Sequence, residues 1–140
     1  LVCGIGPRAT HPPTARYLRE RNPDLKVVAV EPAGSALLSG GQPGPHAIPG
    51  LIGGFVAPVT DIHLIDEVIT VQDADAAATT RAIAARSGLL VGISAGAAAY
   101  GCLELARRHD LSHAVVATVL PDSGERYLSW WPQEDTAGQG

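Results

Sequence analysis

The chain has 140 residues, 46% hydrophobic and 17% charged, with a formal net charge of −4. That is enough apolar material for one packed domain, and its charge density is too low for a disordered chain. The acidic balance, with no basic stripe, argues against nucleic acid or an anionic membrane surface as partner, and no apolar run is long enough to span a membrane.

In chain order, residues 1–6 read as a buried strand. The sequence opens on Leu1-Val2-Cys3-Gly4 and contains no methionine, so a piece of a longer chain is expected rather than a complete protein. Residues 14–22 read as a helix and 26–31 as a second strand. Residues 32–66 break this rhythm with Gly34, Gly40, Gly41, Gly44, Gly50, Gly53 and Gly54; a loop of that length inside a compact domain is usually functional. A strand follows over 67–71, then a helix over 73–87 with Asp73 as N-cap and Gly88 as C-cap. Residues 89–93 read as a strand, 95–108 as a helix and 114–120 as a last strand. Residues 130–140 read as a loosely ordered tail that Trp130 and Trp131 could anchor. Apolar strands without polar alternation, separated by helices, predict an α/β domain with a mostly parallel sheet covered on both faces. Cys3 and Cys102 have no C-x-x-C spacing, so neither a disulfide scaffold nor a zinc site is expected, and a reducing cytoplasm is the default.

Four segments carry chemistry. Gly4-Ile5-Gly6-Pro7-Arg8-Ala9 fits G-x-G-x-x-G/A between a strand and a helix. Glu31, at the end of the next strand, stands where a dinucleotide fold places its ribose-binding acid. Backbone N–H groups at such a helix start can cradle a phosphate, but Pro7 removes one of them and Pro12 and Pro13 crowd the helix start. The pattern is balanced between a phosphate loop and an ordinary turn.

Gly92-Ile93-Ser94-Ala95-Gly96 matches the G-x-S-x-G elbow of α/β-hydrolases. Its only downstream acid and histidine in chain order are Asp110 and His113, three residues apart and not on separate strand-end loops, so the hydrolase reading is rejected. What remains is a serine hydroxyl at the positive end of a helix dipole, or an N-cap serine with no further role. The glycines between Gly40 and Gly54 let backbone approach a ligand and supply hinges. His46 among them is open to acid–base work, although a lone loop histidine is more often structural. His11, His63, His109 and His113 show no metal-ligand spacing, and no metal is expected. Pro121-Asp122-Ser123-Gly124-Glu125-Arg126-Tyr127 follows the last strand, at the edge where open α/β sheets bind ligands. There Asp122, Glu125 and Arg126 read as site groups or as a solvated turn.

In this order, VVAVEPAGSALLSGGQPGPHAIPGLIGGF, LIDEVITV, GLLVGISAGAAA and LPDSGERYLS resemble the cysteine synthase (O-acetylserine sulfhydrylase) family over nearly all of residues 26–129. The SGG-x-PGPH stretch resembles cysteine synthases more than cystathionine β-synthases. The resemblance implies a partial three-layer α/β domain with a mostly parallel sheet, of the type II pyridoxal-phosphate fold (tryptophan synthase β-like). That domain would span residues 1–129 and be incomplete at its N-terminus. It also implies pyridoxal 5′-phosphate as cofactor, a small amino-acid substrate, a homodimer in the full-length family and a cytoplasmic location. The implied reaction replaces the acetoxy group of O-acetylserine with sulfide, giving cysteine and acetate.

Residue by residue, Ser94 matches the serine that hydrogen-bonds the pyridine nitrogen. A neutral hydroxyl there would keep that nitrogen unprotonated, whereas a carboxylate would favour protonation. Gly6, Pro7, Arg8, Ala9 and Thr10 match the phosphate cradle, G-T-G-G-T. Gly50, Gly53 and Gly54 match the substrate-side loop, and Pro121 and Asp122 a segment near the cofactor ring. Two departures stand out. The family's catalytic lysine lies upstream of the match, and the only lysine here, Lys26, opens a strand. The chain by itself is therefore expected to be incompetent in covalent catalysis. Between residues 7 and 13 the sequence departs from the family while its flanks do not: Pro7 cannot donate, Arg8 adds bulk and charge, and Ala9 replaces a glycine. Two other readings are a nucleotide-binding module built on Gly4 to Ala9 and Glu31, and a non-catalytic partner subunit.

Overall fold

The structure, a computed structural model, describes residues 1–6, 11–58 and 60–130. The readings that fall on residues 7–10 and on the tail, including the anchoring by Trp131, lie outside these.

Three parallel strands, β1 (Val2–Gly4), β2 (Val28–Pro32) and β3 (Glu67–Val71), form a sheet in the order β1-β2-β3. Val2 stands opposite Val28, and Val30 opposite Ile69. Every residue of β2 is buried, as a central strand covered on both faces requires. Helix α1 (His11–Arg21) connects β1 to β2, and α2 (Asp73–Ser87) and α3 (Ile93–Arg108) follow β3.

Strand alternation sends neighbouring residues of β2 to opposite faces. Val28 and Val30 join Val2, Ile69 and Val71 in a core closed by Ala76, Ile93 and Ala97 of α2 and α3. Ala29 faces the other way, packing with Ile5 and Ile52 under Leu37, Leu38, Val56 and Ile65. The long loop thus covers the face that the helix pair leaves open, and the expected α/β architecture is present. Helix α1 is tied on by Arg19, whose guanidinium bonds Asp66; the same carboxylate accepts from the Val27 N–H at 2.7 Å.

Helix α2 ends on Gly88 in the left-handed region (φ 68°), as predicted. Its N-cap is Gln72, not Asp73. The Asp73 carboxylate instead accepts from the Ala47 N–H at 2.8 Å and holds the long loop. Helix α1 begins earlier than expected, taking in Pro12 and Pro13, because a proline in the first turn lacks only an N–H that has no helical acceptor. Helix α3 begins two residues early, with Gly92 as its N-cap.

Two predicted strands are not strands. Of 89–93 only Val91 pairs, in an isolated antiparallel bridge to Ser123, and of 114–120 only Thr118 pairs, with Val2. Apolar β-branched runs have the composition of strands, but a ladder needs a partner along its length, and the described residues provide one bridge to each. Among the described residues no helix is long and apolar enough to cross a membrane.

Candidate functional site

Three segments meet at the carboxyl edge of the sheet. The end of β1 runs on through Ile5, whose N–H donates to the Val30 carbonyl at 3.0 Å and whose carbonyl accepts from the Ile52 N–H at 2.8 Å. This places Gly6 directly against Gly50: a Cβ on Gly6 would overlap the Gly50 carbonyl oxygen. Gly50 has φ +91°, a conformation that strains any side-chain-bearing L-residue. A Cβ built there would stand 3.9 Å from the Ser94 Oγ. Gly6, Gly50 and Ser94, drawn from three separate motifs, are therefore neighbours.

Ser94 is the second residue of α3 and 7% exposed. The N-cap reading of this serine fails, because Gly92 occupies that position and no side chain caps the helix. The Ser94 hydroxyl makes no hydrogen bond with another described residue. It is a nearly buried neutral donor at the positive end of a sixteen-residue helix, a state that invites a partner.

Residues 90–92 and 122–124 form a short antiparallel clasp just before this helix. Gly92 N–H donates to the Asp122 carbonyl at 3.1 Å, and Gly124 N–H to the Leu90 carbonyl at 3.0 Å. The Asp122 carboxylate is turned onto Gly92, where a Cβ would overlap its Oδ1. Its Oδ2 accepts from the Tyr127 hydroxyl at 2.8 Å, and that bond, aided by burial, holds the Tyr127 phenol above its usual pKa. Sequence reasoning passed over Tyr127, although it closes the same motif as Asp122. Pro121 is exposed. Gly53 and Gly54 are also exposed, with open space where side chains would stand, and the Gly53 carbonyl accepts from the buried Ser35 hydroxyl at 2.5 Å.

Other candidates are committed elsewhere. Glu31 is fully buried, and its carboxylate accepts from Leu38 N–H at 2.7 Å and Ser39 N–H at 2.9 Å. It is unavailable to a ribose, which removes the acid from the nucleotide-binding reading. The His46 Nδ1 accepts from the Ile48 N–H at 3.2 Å, a local loop bond. Asp110 and His113 are exposed beyond the far end of α3, and Asp110 accepts from Ser112 N–H. At about 1.5 Å per residue they lie ~20 Å from Ser94, so the hydrolase reading fails in space as well. Lys26 is exposed ahead of β2, its carbonyl bonded by the Leu1 ammonium. It sits at the opposite edge of the sheet from Ser94, a strand length of roughly 15 Å away.

The carboxyl edge of a parallel α/β sheet is where such folds bind ligands, and there a nearly buried serine hydroxyl stands beside close-packed glycine backbone. A pyridoxal-phosphate dependent enzyme model matches residues 1–122, and the chain belongs to that family. It is 44% identical over 129 residues to a probable cysteine synthase of Bacillus subtilis (strain 168), covering 92% of this chain and 41% of that protein. Among solved structures it is similar to an O-acetylserine dependent cystathionine beta-synthase from Helicobacter pylori, with TM-score 0.83 and 44% identity, over 91% of this chain and 41% of that one. It is also similar to O-acetylserine sulfhydrylase isoform 3 from Entamoeba histolytica, with TM-score 0.87 and 38% identity, over 91% of this chain and 38% of that one. The chain thus spans about two fifths of the length of the relatives it matches. At the ring end the residues present fit the family's cofactor. A nearly buried neutral hydroxyl, with no described protein partner and glycine backbone beside it, suits an acceptor nitrogen.

Proposed function

We propose that this chain forms the ring-nitrogen and substrate-loop side of a pyridoxal-phosphate site for β-replacement. The substrate is O-acetylserine, the incoming nucleophile sulfide, and the products cysteine and acetate. The observation that carries this reading is the meeting of Gly6, Gly50 and the Ser94 hydroxyl, which has no partner among the described residues, at one edge of the sheet; the similarity to cysteine synthases supports it. Bound pyridoxal phosphate supplies an electron sink for loss of a β-leaving group and addition of a nucleophile. The Ser94 Oγ would donate to the ring nitrogen and, being neutral, would not draw a proton onto it. Gly6 and Gly50 keep side chains out of the space beside that hydroxyl, and Gly53 and Gly54 lie on the substrate side. By sequence, Gly6, Pro7, Arg8, Ala9 and Thr10 correspond to the family's phosphate cradle. The covalent lysine is contributed by polypeptide outside this sequence, since Lys26 stands at the wrong edge. The same reading includes a homodimer and a reducing cytoplasm, which suits the free thiols of Cys3 and Cys102.

A second reading, cystathionine formation from O-acetylserine, is favoured by the equal 44% identity to the Helicobacter pylori enzyme. The test joins this chain to the upstream three fifths of the Bacillus subtilis relative and measures acetate release with sulfide or homocysteine as acceptor. Sulfide is expected to be the better acceptor. Ser94→Ala is expected to weaken turnover and cofactor retention about ten-fold, the worth of one buried hydrogen bond. A folded chimera that retains pyridoxal phosphate equally well after Ser94→Ala would overturn the assignment of Ser94.

A further inference from the structure

Asp122 holds an unusual position. Its Oδ1 is buried and has no hydrogen-bond partner among the described residues, while its Oδ2 takes the Tyr127 hydroxyl. A buried carboxylate oxygen left unpaired costs stability, so the group needs a reason to stand there. The reason lies in what it rests on. The carboxylate fills the place where Gly92 has no side chain, and Gly92 is the N-cap of α3, two residues before Ser94. The main chain of the same residue takes the Gly92 N–H. The Gly92 carbonyl in turn accepts the Gly96 N–H at 3.2 Å, the first bond of the helix. Asp122 therefore grips Gly92 from its backbone and its side chain together. Tyr127, which packs against the main core, anchors that grip to the body of the domain. The positive helix end beside it is a favourable seat for a carboxylate.

From this geometry we infer that Asp122 is a positioning residue: with Tyr127 it clamps Gly92 and so fixes the first turn of α3 and the direction of the Ser94 hydroxyl. The link to Ser94 rests on the function proposed above; the clamp on Gly92 does not. Gly92 is glycine because the carboxylate needs its face, and the Asp-Ser-Gly-Glu-Arg-Tyr run brings both parts of the clamp in one segment.

The test uses the 140-residue chain without cofactor and reads hydrogen–deuterium exchange at single amides. Asp122→Ala should speed exchange at Gly92 and Gly96 about ten-fold or more, equivalent to about 1.4 kcal/mol. The amides of His109, at the far end of α3, and of Ile52, on the opposite face, should stay as they are. Asp122→Asn keeps the shape over Gly92 and an acceptor for Tyr127, so it should restore most of the protection. Tyr127→Phe removes the anchor but not the seat, and should fall between. The inference is overturned if Asp122→Ala leaves Gly92 and Gly96 unchanged. It is equally overturned if His109 and Ile52 speed up to the same extent, or if Asp122→Asn exchanges as fast as Asp122→Ala. If Ser94→Ala in the chimera retains the cofactor while Asp122→Ala still frees Gly92 and Gly96, the assignment of Ser94 falls and the clamp stands.

Discussion

The two thiols show how burial sets residue-scale chemistry here. Cys3 lies on β1 and Cys102 on α3, both free and half-buried. Burial pushes the Cys3 thiol from 9.0 up to about 11, the N-terminal ammonium opposes this, and Cys102 adds to it. Burial also raises Cys102, with the Thr118 side chain beside it acting in the opposite direction. Only the thiolate is nucleophilic. Below pH 9, Cys3 should therefore alkylate about a hundred-fold more slowly than an ordinary thiol, and its rate should keep climbing with pH to about 11. Iodoacetamide labelling followed by peptide mass analysis checks this; a Cys3 rate that levels off near pH 9 would contradict it. The sequence carried no hint of this, because the surroundings of Cys3 come from segments far along the chain. Glu31 makes the same point. Its place at the end of a strand suggested a ligand acid, but its carboxylate is spent on two loop amides seven and eight residues on. By contrast, Ser94 was legible, since a strand-to-helix turn with glycines and one hydroxyl leaves few places for that hydroxyl to point.

At the level of elements, the helix pair is built on glycine. A Cβ on Gly96 would overlap the Thr80 Oγ1 and the Ala76 carbonyl oxygen of α2, and one on Gly101 would overlap Val30 of β2. These two residues let α3 lie close to α2 at one point and to the sheet at another. The second glycine of the G-x-S-x-G pattern is thus a packing residue, which explains why the pattern is present without a hydrolase. Thr80 cannot easily give way, because it is buried and its hydroxyl bonds the Ala76 carbonyl at 2.8 Å. Gly96→Ala should destabilise the chain by about 1–3 kcal/mol through overpacking, seen as a fall of several degrees in its thermal midpoint. Gly88→Ala offers a contrast: it has open space but a positive φ, so its cost is backbone strain alone. A Gly96→Ala variant as stable as the original would mean that α2 and α3 separate easily. β3 and α2 fall on their predicted bounds because each is a local pattern: an apolar run, then an alanine-rich stretch closed by glycine. The two runs that are not strands failed for a non-local reason, the want of a partner along their length.

For the whole molecule, the question is what covers the apolar residues left outside. Val115 is 95% exposed, and Val119, Leu120, Leu89, Leu90 and Leu128 are exposed as well. Segment 114–120 is held to β1 on one side, by the Val2 N–H to the Ala117 carbonyl and the Thr118 hydroxyl to the Val2 carbonyl. Among the described residues no strand pairs with its other side. An unpaired edge carrying exposed valines is a template for association. The relatives it matches are more than twice as long, and the rest of such a fold is the natural cover for that edge. The 140-residue chain on its own should therefore self-associate. Sedimentation at micromolar concentration should show species heavier than the 14.4 kDa of one chain. Val115→Lys with Leu120→Lys should shift the distribution towards the single chain. Both side chains are exposed, so the thermal midpoint should change little, since surface substitutions usually stay within about 0.5 kcal/mol. Joining the upstream part of a relative should have the same effect as the two lysines by covering the edge. A single chain with a sharp cooperative transition, before either change, would mean that the edge is already protected.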